Sequence, residues 1–212
     1  MIVIQNSDKS RVIHIWLKGE LYRVKNNLTK EEIDLVENAN FLEEGQNKGR
    51  EDLLLSKYSR SAIFDKLPQD IVWFEIQIEE KDLDRMYLIP VWDWYLDSGK
   101  TFQLKQVSNN ISPSRRMPIS ETHYGKIDQI IASGSDDLDG IIMISSSTNG
   151  PFTIIEGTHR SAALLKKNKL TGTRGCLGIS RHVTNCFWSI ERDDINQYMY
   201  NLKQSAEAGE IW

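Results

Sequence analysis

The chain has 212 residues, 40% of them hydrophobic and 26% charged. That balance belongs to a folded globular protein with enough sequence for one large domain or two small ones. A net charge of −4 and a pI near 5.6 argue against a protein whose main work is gripping nucleic acid, because such affinity comes mostly from cations that neutralise phosphates.

Arg11 to Val24 alternates, with Val12, His14 and Trp16 on one side and Ile13, Ile15 and Leu17 on the other. This predicts a strand or hairpin turning at Lys18-Gly19-Glu20. Thr29-Lys30-Glu31-Glu32 is a capping box that opens a short helix through Ile33 and Val36. Phe41 to Glu51 is polar, with Gly45 and Gly49, and reads as a mobile loop. Leu53 to Phe64 returns to helical spacing, and Pro68 ends that element. Ile71 to Ile78 predicts a strand, followed by the charged stretch Glu79 to Arg85 and the aromatic-rich run Tyr87 to Trp94. A boundary at Asp97-Ser98-Gly99-Lys100 divides the chain into an N-terminal α+β region (1–100), a second unit (101–190) and a helical tail (191–212).

In the second unit Ile111 to Pro118 is extended, and Glu121 to Ala132 carries Tyr124, Ile127, Ile130 and Ile131 at helical intervals. Ile141 to Ile144 and Phe152 to Ile155 are short buried strands joined by the turn Ser145 to Gly150. Gly157 breaks the chain before a helix over Ser161 to Lys169, and Gly175 to Gly178 forms a last strand. The expected fold is α/β (α+β), a small mixed sheet flanked by helices. The longest apolar runs are far too short to cross a bilayer. The segment Met1 to Asp8 lacks the pattern of a secretory signal, so the cytoplasm is the expected compartment. Cys176 and Cys186, ten apart, match no zinc spacing and read as small hydrophobes.

The chemistry concentrates in Ile154-Ile155-Glu156-Gly157-Thr158-His159-Arg160-Ser161-Ala162-Ala163. A strand that ends in glycine and passes straight into a helix leaves unpaired N–H groups at the positive end of a helix dipole, a ready anion site. Thr158 adds a hydroxyl, His159 ring donors and Arg160 a planar fork suited to phosphate.

With the upstream segment Ile111-Ser112-Pro113-Ser114-Arg115-Arg116, the helix Lys126 to Ala132 and the strand Ile141 to Ile144, residues 105–185 resemble the ParB/sulfiredoxin superfamily. The resemblance implies a nucleotide triphosphate, ATP or another, held with Mg²⁺ by Gly157, Thr158, His159 and Arg160, with Arg115 and Arg116 nearby. Thr158 stands where sulfiredoxins place their catalytic cysteine, which argues against sulfinic acid reduction. About 30 residues follow this unit, too few for the helix-turn-helix domain of the partitioning proteins. Free-serine kinases of the superfamily keep the Gly-x-His-Arg box and are the nearest enzymatic model. The implied activity is an ATP-dependent phosphotransferase or nucleotide hydrolase acting on a small hydroxyl substrate. Glu156 or Glu121 would accept the hydroxyl proton, and His159 and Arg160 would stabilise charge on the transferring group. Two alternatives stand beside it: a nucleotide-operated switch moving a segment such as Phe41 to Glu51, and a ParB-like nuclease or DNA-associated protein. On residue type alone, Glu156 also suits a salt bridge to Arg160, Arg115 and Arg116 suit a solvated loop, and His123 suits an ordinary helix start.

Overall fold

The computed structural model describes residues 1–24, 28–58, 61–110, 123–133 and 140–208. In chain order the elements are β1 (Ile2–Asn6), α1 (Lys9–Val24), α2 (Lys30–Glu37), α3 (Glu44–Asp52), a π-helical turn (Leu53–Lys57), α4 (Ser61–Phe64) and β2 (Val72–Gln77). A 3₁₀ turn (Glu80–Arg85) leads to β3 (Met86–Leu88), α5 (Trp92–Asp97), α6 (Leu104–Asn110) and α7 (His123–Ala132). The chain ends with β4 (Ile141–Ser145), β5 (Phe152–Glu156), α8 (Thr158–Lys166), β6 (Arg174–Ile179), a second 3₁₀ turn (Arg181–Asn185) and α9 (Ile195–Glu207).

The strands form one mixed sheet in the order β1-β2-β6-β4-β5-β3, the mixed sheet flanked by helices that the sequence predicts. β2 pairs antiparallel with β1 and β6, and β4 pairs antiparallel with β5, while β6–β4 and β5–β3 are parallel. Strands from residues 1–100 therefore interleave with strands from the rest of the chain and share its backbone hydrogen bonds.

All five residues of β4 are buried, as befits a strand covered on both faces. Alternation divides its side chains between two cores. Ile142 and Ile144 join Ile155 and Cys176 against Val12, Ile13, Trp16 and Leu17 of α1. Ile141 and Met143 point the other way, toward Ile154, Leu177, Ile127 of α7, and Ala162 and Ala163 of α8. Each fully buried Ile or Leu adds roughly 1.5–3 kcal/mol.

Two expectations are corrected. Arg11 to Val24 is helix, not strand or hairpin, and Lys18-Gly19-Glu20 lies within α1. Its buried residues, Val12, Ile13, Trp16, Leu17, Glu20 and Leu21, follow the stripe of a helix pressed on a sheet. The β-branched and aromatic residues among them only imitate a two-residue period. Asp8 caps the helix, its Oδ1 accepting the Arg11 N–H at 2.9 Å. Behind this helix His14 donates from Nε2 to the Val36 carbonyl at 2.8 Å, and burial pushes its imidazole below the ordinary histidine range.

Phe41 to Glu51 is the second correction: most of it is α3, not a loop. The helix is polar and carries two glycines, so its propensity is poor; tertiary contact with Arg50 holds it instead. Arg50 is fully buried, with Nη1 donating to Leu35 O at 3.3 Å, Nη2 to Asn40 O at 3.3 Å and to Asn47 Oδ1, and its guanidinium 5.2 Å from the Phe41 ring centre. The Thr29 capping box is formed as read, with Thr29 Oγ1 accepting from Glu32 N and Glu32 Oε2 accepting from Thr29 N.

Arg50→Ala removes the donor from the Leu35 and Asn40 carbonyls and leaves a void at a fully buried position, and is expected to lower unfolding stability by about 3 kcal/mol. The readout is the urea midpoint at unchanged m-value; an unchanged midpoint would refute this account of α3.

Candidate functional site

The site is built at the junction of β5 and α8. Gly157 sits between them at φ +82°, ψ +21°, in the left-handed region. A Cβ there would stand 3.1 Å from the Gly140 carbonyl oxygen and 3.3 Å from Ile141 Cα, so both the backbone angle and the space require glycine. α8 begins at once with Thr158, three residues before the helix start expected at Ser161. A glycine cap brings no side-chain acceptor, so the first-turn N–H groups are left to other acceptors.

Neighbouring residues on a helix point roughly 100° apart, and His159 and Arg160 part company accordingly. Arg160 Nη2 donates to Gly140 O at 2.9 Å and to Glu156 Oε1 at 3.1 Å. The guanidinium also lies against α1, where a Cβ on Gly19 would meet Nη2 at 2.6 Å and Nη1 at 2.9 Å. Arg160 thus ties α8, the entry to β4 and α1 at one point. Glu156, the proposed carboxylate base, is the partner of this guanidinium.

His159 turns toward α5 and α7. Its ring centre lies 5.1 Å from that of Trp94 and 5.0 Å from that of His123, and its Nε2 is buried. His123, the first residue of α7, stacks on Trp94 with centres 3.7 Å apart and planes 16° from parallel. Its Nδ1 lies 2.8 Å from Asp97 Oδ2. Trp94 and Asp97 are one helical turn apart on α5, so one side chain backs the ring while the other grips its edge. Ser98, fully buried, fixes the turn after Asp97: its N–H donates to Trp94 O at 3.0 Å and its Oγ accepts from Phe102 N at 2.7 Å. A carboxylate without its proton only accepts, so a contact of that kind puts the hydrogen on His123 Nδ1 and, in a neutral ring, the lone pair on Nε2.

Glu156, Gly157, Thr158, His159 and Arg160 are therefore contiguous, but they face two sides of one turn. Arg115, Arg116 and Glu121 lie outside the described residues. Sequence reading gave Trp94 only a core or interface role, Asp97 only a place in the boundary segment and His123 only a helix-start role. No spacing signal links Asp97 to His123, because the contact is made by the packing of α5 on α7. Burial pushes the Cys176 thiol up to about 12, which removes it as a thiolate nucleophile near neutrality. Among the described residues no group of three or more His, Cys, Asp or Glu is disposed to hold a metal ion, and no helix is long and apolar enough to cross a membrane. Comparison with protein-family models, curated proteins and solved structures finds no match for this chain.

Alanine for a mid-helix glycine ordinarily stabilises by about 0.5–1 kcal/mol. At Gly19 the sign is expected to reverse, to a loss of about 1–2 kcal/mol, because the methyl must displace the Arg160 guanidinium. In an Arg160→Ala background the same change is expected to stabilise. Urea unfolding of the two single variants and the double variant measures this coupling; additive effects would show that Arg160 does not bear on α1.

Proposed function

We propose that the chain is a nucleotide-binding protein of ParB/sulfiredoxin-like design, working as an ATP-dependent phosphotransferase or nucleotide hydrolase on a small hydroxyl substrate. The observation that supports this reading is the left-handed Gly157 turn, which delivers the start of α8 beside His159 and the His123–Asp97 pair. Anions favour such a helix start because backbone N–H groups and the helix dipole act together. In this reading the terminal phosphates lie against the N–H groups of the first turn and the Thr158 hydroxyl, with the His159 ring alongside. Arg160, held by Glu156 and the Gly140 carbonyl, shapes the turn and adds positive charge behind it. Mg²⁺, when bound with the nucleotide, would supply charge neutralisation, and it needs few protein ligands because it keeps much of its water.

Calorimetry with ATP, ADP, CTP and GTP, each with Mg²⁺, tests the reading. Binding of at least one nucleotide is expected with Kd between about 1 μM and 1 mM, as for ordinary metabolite sites. His159→Ala is expected to weaken it roughly tenfold, about 1.4 kcal/mol. His159 is the better position to change, since loss of Arg160 also unties Gly140 from Glu156. If folded wild-type protein binds none of the four, the nucleotide reading fails.

A further inference from the structure

We propose that His123, oriented by Asp97 and backed by Trp94, accepts the proton of the hydroxyl nucleophile in the reaction at the Gly157 turn. This rests on the phosphate-site reading above and offers a proton acceptor other than Glu156, whose carboxylate faces Arg160.

Three elements contribute to the arrangement. α5 supplies Asp97 and Trp94, α7 supplies His123 and α8 supplies His159. The Asp97 carboxylate at 2.8 Å from Nδ1 leaves Nε2 as the basic atom of the neutral ring. Trp94, stacked at 3.7 Å, fixes the plane of that ring. The His123 side chain is 15% exposed, and its ring is 5.0 Å from His159 on the first turn of α8. A proton acceptor is thereby held beside the place where the phosphates would lie, in one tautomer and one orientation. A fixed tautomer and orientation are two requirements for general base catalysis, and hydrogen-bond reach of the hydroxyl is the third.

In the step itself the alcohol or water oxygen attacks the terminal phosphorus of the nucleoside triphosphate. A new P–O bond forms, the bond to the bridging oxygen breaks, and its electron pair leaves with the nucleoside diphosphate. The hydroxyl proton moves to His123 Nε2. The resulting imidazolium is stabilised by Asp97, which keeps its own charge throughout. Asp97 is a positioning residue; it acts through His123.

Two measurements on the full chain decide the matter. Nitrogen-15 NMR of histidine-labelled protein, without nucleotide, is expected to show His123 protonated on Nδ1, and Asp97→Asn is expected to abolish that preference. Protonation on Nε2 in the wild type would overturn the proposal. Turnover is then followed with whichever nucleotide binds. His123→Asn and Asp97→Asn are expected to hold their Kd within about threefold while turnover falls roughly 100-fold or more. Added imidazole is expected to restore part of the activity of His123→Ala. Wild-type turnover in His123→Asn, or a wild type that binds nucleotide without turning it over, would overturn the role of His123. If no nucleotide binds at all, it is the phosphate-site reading that fails, and this substrate for His123 falls with it; the tautomer measurement shows independently whether the dyad itself exists.

Discussion

The guanidinium of Arg160 is the point at which the two faces of this protein meet. It leaves the first turn of α8, accompanies Glu156 at the end of β5, reaches the Gly140 carbonyl before β4 and rests on Gly19 of α1. α1 belongs to one core and α8 to the other, with the sheet between them. A buried-edge cation of this kind is stabilising only when its donors are satisfied and its charge is paired, and two glycines make that possible by letting backbone approach the planar group. Placing Arg160 on the α1 side leaves the other side of the turn to His159. The two residues that look like a joint phosphate clamp in the sequence are thus turned to opposite sides of one turn.

The second core explains why the histidines gather where they do. α8 packs against α6 and α7, and the buried Trp94 and Tyr95 carry α5 into the same cluster. Trp94 then serves two purposes, as a core residue on one side and as the surface on which His123 stacks on the other. An imidazole held by stacking and by one carboxylate has lost most of its rotational freedom before any ligand arrives, which reduces the ordering cost of a reaction at that point.

The sequence was most readable where local rules act alone. β2, β4, β5 and β6 are short, strongly apolar and bounded by turn residues, and the Thr29 capping box is a purely local hydrogen-bond pattern. Legibility failed where tertiary context overrode composition. In α1 the residues favouring strand lie on a helical stripe that only the sheet beneath it makes profitable. In α3 a polar, glycine-bearing segment is helical because its single buried arginine ties it to the Leu35 and Asn40 carbonyls of the chain before it. At the site, Gly157 was legible because strand, glycine and helix follow in immediate succession. The Asp97–His123 contact was not, since it joins residues of two helices through packing that leaves no periodic trace.

The interleaved sheet bears on how the chain reaches its native state. β2 pairs along its whole length with β6, Val72 opposite Ile179 and Gln77 opposite Arg174, and β3 pairs with β5, Met86 opposite Phe152. These contacts join residues far apart in sequence, and loop-closure entropy must be overcome before they form, which makes folding slow in proportion to contact order. During synthesis β2 emerges well before its partner β6 exists. Its buried residues, Trp73 on one face and Ile76 on the other, wait with only β1 beside them until the last strand is made. The central position of β6 therefore makes completion of the sheet a late event, and the nascent chain is most exposed to aggregation in the interval before that strand arrives.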